Sequence, residues 1–321
     1  MTLAGSKLRV TDPFAVLSES AEVDGRREAL IRRIGQKYMG DVAPQPPGDI
    51  PWDAGFFGLD RSTRFRDLPL PRQVAVTAAL SEAVLREAQH IEVVGTTYAA
   101  KMALLAETLP QRELYSFFAA DEARHLRLIS ALVGEPHLDW VQGNSFLGYL
   151  AQVVQDEDRE TLVFLIQVIL EGWGINYYSA LARCARAPQV TRCFETILLD
   201  EGRHHGSGLV LFDESRLTMP QLARLKDLLA AFLAMVRIGP AATLAHLARE
   251  TGGMSRSEIH DFLTEVDFAA KVKADLSLMQ SLLVKAGAHK LRQFFVEKAA
   301  FTVPTAAACA SDAAAFLGGV L

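Results

Sequence analysis

Two pentapeptides, Asp121-Glu122-Ala123-Arg124-His125 and Asp200-Glu201-Gly202-Arg203-His204, each place a carboxylate and an imidazole three residues apart. On a helix that spacing puts both side chains on one face, and such a pair turned inward can hold a metal ion. A lone carboxylate, Glu92 in one case and Glu171 in the other, stands 30 residues before each Glu-x-x-His. The two sets are related. A shift of 79 positions carries residues 92–125 onto 171–204 without a gap, and Gly95 falls on Gly174, Tyr98 on Tyr177, Ala103 on Ala182 and Ala106 on Ala185. The chain therefore contains the same helical hairpin twice.

Turn-forming residues at Leu109-Pro110 and Ala187-Pro188 separate each lone Glu from its Glu-x-x-His. The chain doubles back there, which returns the two carboxylates to similar heights. Two such hairpins packed together are expected to bring four carboxylates and two imidazoles to one point. Four negative charges are neutralised by two divalent cations, and oxygen with imidazole donors suits iron or manganese better than thiolate-loving metals. Buried without metal, the same carboxylates repel one another and must take up protons.

From Thr161 to Ala182 the only charged residue is Glu171. Apolar nearly all round, this stretch reads as a helix enclosed on most sides, with a central carboxylate that needs a partner. Its length raises the question of a membrane span, but the central charge, Gln167, Asn176 and the Gly and Ser interruptions favour a buried bundle helix.

These residues resemble the ferritin-like di-iron carboxylate proteins, whose pattern is a Glu from each of two helices and a Glu-x-x-His from each of two others. The resemblance covers about residues 80–213. It implies an all-α fold, a four-helix bundle with an N-terminal wrap and additional C-terminal helices, holding two iron ions or a manganese–iron pair. By position it implies Glu92 and Glu171 as the single-carboxylate ligands, Glu122 and Glu201 as the bridging ones, and His125 and His204 as the imidazoles. Asp121 and Asp200 match acids that, in the family, hydrogen-bond the metal-bound imidazoles and so orient them. Arg124 and Arg203 are expected to pair with those acids.

Several other polar residues are read as non-ligands. Glu87 and His90 form a third Glu-x-x-His, yet the shift places Ile166 and Ile169 at the matching positions, so they are expected at the surface or beside the ligands. His205 adjoins His204 and points about 100° away from it. Tyr98 and Tyr177 recur at matched positions, where packing explains them most simply. Tyr178, seven residues after Glu171, shares its face and lines a pocket or the core.

Half of the 321 residues are apolar, enough to bury a large core. A net charge of −5 with scattered Lys and Arg argues against nucleic acid as a partner. Three cysteines without a Cys-x-x-Cys fit a reducing compartment, and Met1 to Val10 lacks the apolar core of a signal peptide, so a cytoplasmic protein is expected. Residues 1–71 read as an irregular extension with one helix near Arg26–Met39, residues 72–213 as the di-metal bundle, and residues 214–321 as C-terminal helices packed on it. Bundle helices are expected at 72–108, 111–133, 158–186 and 189–213, with a short helix around Phe146–Val154. Thr218 with Pro220 opens a further helix that Gly239-Pro240 breaks, and Gly252-Gly253 stops the next. Ser255 with Glu258 makes a capping box for a long helix to about Lys285. The small, apolar tail from Ala299 to Leu321 is expected to cover a partner subunit or fold back as a lid.

The resemblance leaves three activities open: O2-dependent oxidation of a small organic molecule, ferroxidase or storage chemistry on iron itself, and radical generation for another protein. Storage ferritins are little more than the bundle, whereas more than half of this chain lies outside residues 80–213. In the radical-generating subunits an oxidisable Tyr stands one turn after a ligand His, and here those positions are Ile129 and Gly208. Among the oxygenases, the Glu171-to-Asn176 and Asp200-to-Gly206 stretches are faintly similar to the p-aminobenzoate N-oxygenase group. That group has an extra His where this chain has Ile197, which returns the site to six ligands. The expectation is a cytoplasmic, homodimeric, non-haem di-iron oxygenase or oxidase that hydroxylates, desaturates or N-oxygenates a small organic substrate, fed by an electron donor. Small residues near the site, Ala88, Gly95, Gly174 and Gly208, either leave room for O2 or substrate or let helices approach.

Overall fold

The computed structural model describes residues 12–17, 30–31, 33–37, 45–142 and 144–318. Among them the chain is helical throughout, with no strand. Of the helix expected at Arg26–Met39, residues 30, 31 and 33–37 are helical and the rest lies outside the described residues. The chain divides into two compact units, residues 1–46 with 83–162 and residues 47–82 with 163–321. Each unit contains one copy of the repeated hairpin.

The first unit contains most of α1 (Leu70–Leu105), all of α2 (Leu109–Val133) and α3 (Ser145–Asp156). The hydroxyl of Thr108 caps α2 by accepting from Gln111 N at 3.4 Å, Pro110 occupies its first turn, and Gly134, with φ of 81°, ends it. Gln89 on α1 ties down that end, donating to Ser130 Oγ at 2.9 Å and to Gly134 O at 2.6 Å. Both ends of α3 are fastened to α1. Asn144 caps α3 through two backbone N–H groups and donates its amide to Glu87 at 2.7 Å, while Lys101 donates to the carbonyls of Val154, Gln155 and Glu157 beyond the other end. Glu87 and Lys101 are roughly 21 Å apart along α1 and α3 is ~18 Å long, so the two helices run parallel.

The first unit ends with one α-helical turn (Arg159–Leu162), and the second unit continues with a π-helical segment (Val163–Leu170) and then α4 (Glu171–Cys184). The expected single helix over 158–186 therefore changes its winding immediately before Glu171. Every residue of the π segment is buried. A connection follows to α5 (Pro188–Leu211), which packs closely on both α4 and the π segment. The Trp52 indole is fully buried and donates to Leu181 O at 3.0 Å, and Arg186 N donates to Pro51 O at 2.7 Å, so the lead-in is anchored at the end of α4.

Helix α6 (Met219–Ile238) opens on a capping box of Thr218 with Gln221, and α7 (Ala241–Thr251) stops at Gly252 in the left-handed region. The expected long helix to Lys285 is two helices, α8 (Arg256–Glu265) and α9 (Phe268–Lys285), broken at Asp267 with φ of 51°. The apolar stripe explains the break. At about 100° per residue, Ile259, Phe262 and Leu263 lie nearly opposite Phe268, Val272, Leu276 and Met279 on one straight cylinder, and the bend lets both sets be buried. Glu214 caps α10 (His289–Glu297), accepting from Lys290 N and Leu291 N at 3.0 Å. The tail forms α11 (Ala306–Gly318), which packs on α8 and α6 through buried Cys309, Ala310 and Ala313.

Among the described residues no single helix is long and apolar enough to cross a membrane. The pair α6 and α7, bent by 45°, reaches that length and composition only when taken together.

Candidate metal centre

The buried positions of α2 are Tyr115, Phe118, Glu122, His125, Ile129 and Leu132, stepping by three or four residues. Glu122 and His125 thus occupy two consecutive places in the stripe that packs the core, where a hydrophobic pair would ordinarily stand. On α5 the same pattern runs through Val190, Phe194, Ile197, Glu201, His204 and Gly208. Helix packing, not loop geometry, aims these side chains inward.

In the first unit Glu92, Glu122 and His125 are 1%, 7% and 0% exposed, and each offers a donor atom within 4.8 Å of the others. His125 Nδ1 lies 3.3 Å from a carboxylate oxygen of Glu92. An ion holding nitrogen and oxygen donors at about 2.1 Å meets two atoms so spaced at an angle of about 100°, an ordinary angle for tetrahedral or octahedral coordination. This buried cluster can hold a metal ion. Glu122 reaches it because Gly95, one turn after Glu92, has no side chain: a Cβ there would stand 2.8 Å from the Glu122 carboxyl carbon.

In the second unit Glu171 and His204 offer donor atoms within 4.8 Å of each other, and Glu201 is buried one turn before His204. Gln167, the one polar residue of the π segment, holds this turn of α5. Its amide donates to Ser207 Oγ at 2.9 Å and His204 O at 3.3 Å, and its own carbonyl accepts from His205 Nδ1 at 3.0 Å. The fit requires Gly208, where a Cβ would come within 3.1 Å of the Gln167 carbonyl carbon and 3.3 Å of Val168 N. Gly208 therefore serves helix approach. Gly174, the counterpart of Gly95, differs again: a Cβ there meets nothing within 4 Å.

The two aspartates differ in setting. Asp200 is buried and pairs with Arg203, whereas Asp121 is about one quarter exposed and lies 4.0 Å from Arg124. Both are paired with the Arg three residues on.

The residues read as non-ligands have other partners. His90, expected at the surface or beside the ligands, is fully buried with its ring nitrogens 2.7 Å and 2.9 Å from the carbonyls of Arg86 and His137. Burial pushes the Glu87 carboxyl above its ordinary range, and the Asn144 amide partly offsets that. Tyr98 is buried edge-on against Tyr115 at 6.4 Å, and Tyr178 is buried against Phe194 at 5.2 Å with the rings tilted by 53°. Two residues central to this arrangement, Gln167 and Lys101, belong to no motif in the sequence. The signal for Gln167 is its place as the lone amide in Val163-Phe164-Leu165-Ile166-Gln167-Val168-Ile169-Leu170. No protein-family model, curated protein or solved structure matches the chain.

Proposed function

We propose that the two copies of the motif act together, with Glu92, Glu122 and His125 from one and Glu171, Glu201 and His204 from the other holding a pair of iron ions, or manganese with iron. On this reading the chain is a ferritin-like, non-haem di-iron oxidoreductase acting on a small organic molecule. The observation that carries it is the buried Glu92–Glu122–His125 cluster, whose three residue types recur at identical spacing in the second hairpin. Bound ferrous ions supply the electrons that activate O2. The protein contributes the rest: acids and imidazoles aimed by helix register, Gly95 admitting the Glu122 carboxylate, and apolar neighbours such as Ile129 and Ile197 keeping bulk water away. Asp200 and Asp121 orient the imidazoles in this proposal, an electron donor completes the cycle, and two copies of the chain associate.

The test is anaerobic loading with ferrous iron, metal counting, and then exposure to O2 with absorption followed in time. Two ions per chain and an O2-induced band whose decay is hastened by an added organic compound support the oxidase. Uptake of many irons per chain supports iron storage, and loss of no metal in Glu122→Ala and Glu201→Ala overturns the ligand assignment.

A further inference from the structure

The short helix that precedes α1 in the first unit carries more apolar surface than its seat on α2 covers. Its described residues are 30, 31 and 33–37, and among them Leu30, Ile31 and Ile34 are 58%, 61% and 52% exposed. At about 100° per residue these three side chains lie within an arc of about 100°. Gly35 is the residue turned to α2: it is buried, and a Cβ there would overlap the Arg127 guanidinium. One turn further along α2, Ala131 O accepts from Gln45 N at 2.7 Å, so the lead-in is fastened along that helix. Gly35 stands about 90° from the middle of the aliphatic arc, and the contact that seats the helix therefore leaves the arc uncovered. Cations border the arc on both sides. Arg33 and Lys37 fall within about 60° of Leu30, and Arg127 stands on the Gly35 side.

The sequence around this helix has the same character. From Arg26 to Lys37 it carries five basic residues, Arg26, Arg27, Arg32, Arg33 and Lys37, against one acid, Glu28, in a chain whose net charge is −5.

We propose that this face is a docking surface for an anionic lipid bilayer, with Leu30, Ile31 and Ile34 entering the boundary between headgroups and acyl chains and the bordering cations meeting lipid phosphate. The inference is independent of the metal centre and of the chemistry proposed there. A basic helix with an apolar stripe is the pattern of helices that lie in the plane of a membrane surface. Size decides between lipid and protein as the occupant. A stable protein interface takes roughly 800 Å² from each partner, far more than three half-exposed aliphatic side chains supply. A bilayer accepts a narrow stripe on a convex helix, because its lipids move to fit it, and acidic headgroups favour each Lys or Arg held near them. The rest of the chain, being acidic, is repelled by the same surface, which confines the contact to this segment.

The full chain is mixed with vesicles of phosphatidylcholine alone, or of phosphatidylcholine with phosphatidylglycerol, and bound protein is separated by flotation. Binding to the mixed vesicles is expected, with none to phosphatidylcholine alone and a several-fold loss at high salt. Arg33→Gln lowers binding about fivefold, the worth of one cation near an anionic surface. Leu30→Ser/Ile31→Ser/Ile34→Ser, which keeps every charge, lowers it by roughly tenfold or more. Circular dichroism checks that the serine variant folds, and Arg33→Gln with the salt series carries the test if it does not. No binding to the mixed vesicles, or equal binding by the parent and both variants, overturns the proposal. A parent that ignores vesicles but sediments as a dimer, with the serine variant sedimenting as a monomer, also overturns it and assigns the stripe to a second copy of the chain.

Discussion

The carboxylate of Glu122 lies against Gly95, in space that any larger residue would claim. At the matched position in the second hairpin, Gly174 borders open space. The same substitution therefore has opposite consequences at two positions related by the repeat. Gly95→Ala displaces the Glu122 carboxylate, and if Glu122 is a ligand as proposed a weakening of metal binding by tenfold or more is expected, on the order of losing a supporting contact to a metal ligand. Gly174→Ala leaves binding intact and gains about 0.5–1 kcal/mol from the better helix former. Metal titration and thermal denaturation of the two variants, side by side, check both halves.

Gly208→Ala behaves differently from either. Its new methyl meets backbone atoms of the π segment, which cannot rotate away. A loss of about 1–3 kcal/mol is expected, in the range of other overpacked sites. Denaturant unfolding of the metal-free chain measures it, and a neutral result contradicts the close approach of α5 to Gln167.

Glu92 and Glu122 offer oxygen atoms within 4.8 Å of one another in a buried place. Without a cation, two carboxylates at that distance cannot both stay ionised without cost. Glu122→Gln should therefore unfold at a higher temperature than the parent when both are metal-free, and at a lower one when both are saturated with metal. The crossing of the two orders is the readout.

The capping box of α8 gives a pH-dependent test that involves none of the candidate ligands. The Ser255 backbone N–H, then its hydroxyl, and the nearby Arg64 guanidinium hold the Glu258 carboxyl below its ordinary value of 4.5. A folded-state value lowered in this way contributes stability that is present above the unfolded value and is lost as pH falls through the folded one. The difference in stability between the parent and Glu258→Gln should thus be constant at neutral pH and shrink below about pH 4.5. Ser255→Ala, which removes the hydroxyl cap, should cost about 1 kcal/mol at neutral pH.

Much of the site is legible in the amino-acid order itself, because a metal ligand inside a helix must obey the same three- and four-residue steps as a core side chain. Glu122 and His125 stand in step with Phe118 and Ile129, and the second hairpin repeats the step with Ile197, Glu201 and His204. Where periodicity is lost, so is legibility. Val163 to Leu170 is apolar on every side, and a stretch without a polar face looks the same wound as an α- or a π-helix. The break at Asp267 is readable in principle, since the apolar stripe changes face between Leu263 and Phe268, but Val266-Asp267 carries no Gly or Pro to mark it. The anchoring of α3 by Lys101 depends on carbonyls more than fifty positions away, which no local pattern announces.

The wide-wound stretch ahead of Glu171 changes what an insertion or deletion does there. In an unbroken α-helix, removing one residue turns everything on one side of the cut by about 100° relative to the other. A segment with i-to-i+5 bonds already contains surplus backbone, so shortening it can relax the winding while the neighbouring turns keep their bearings. The wall that faces Gln167 and the arm that presents Glu171 are thereby uncoupled in rotation, and each is able to drift in evolution without misaiming the other.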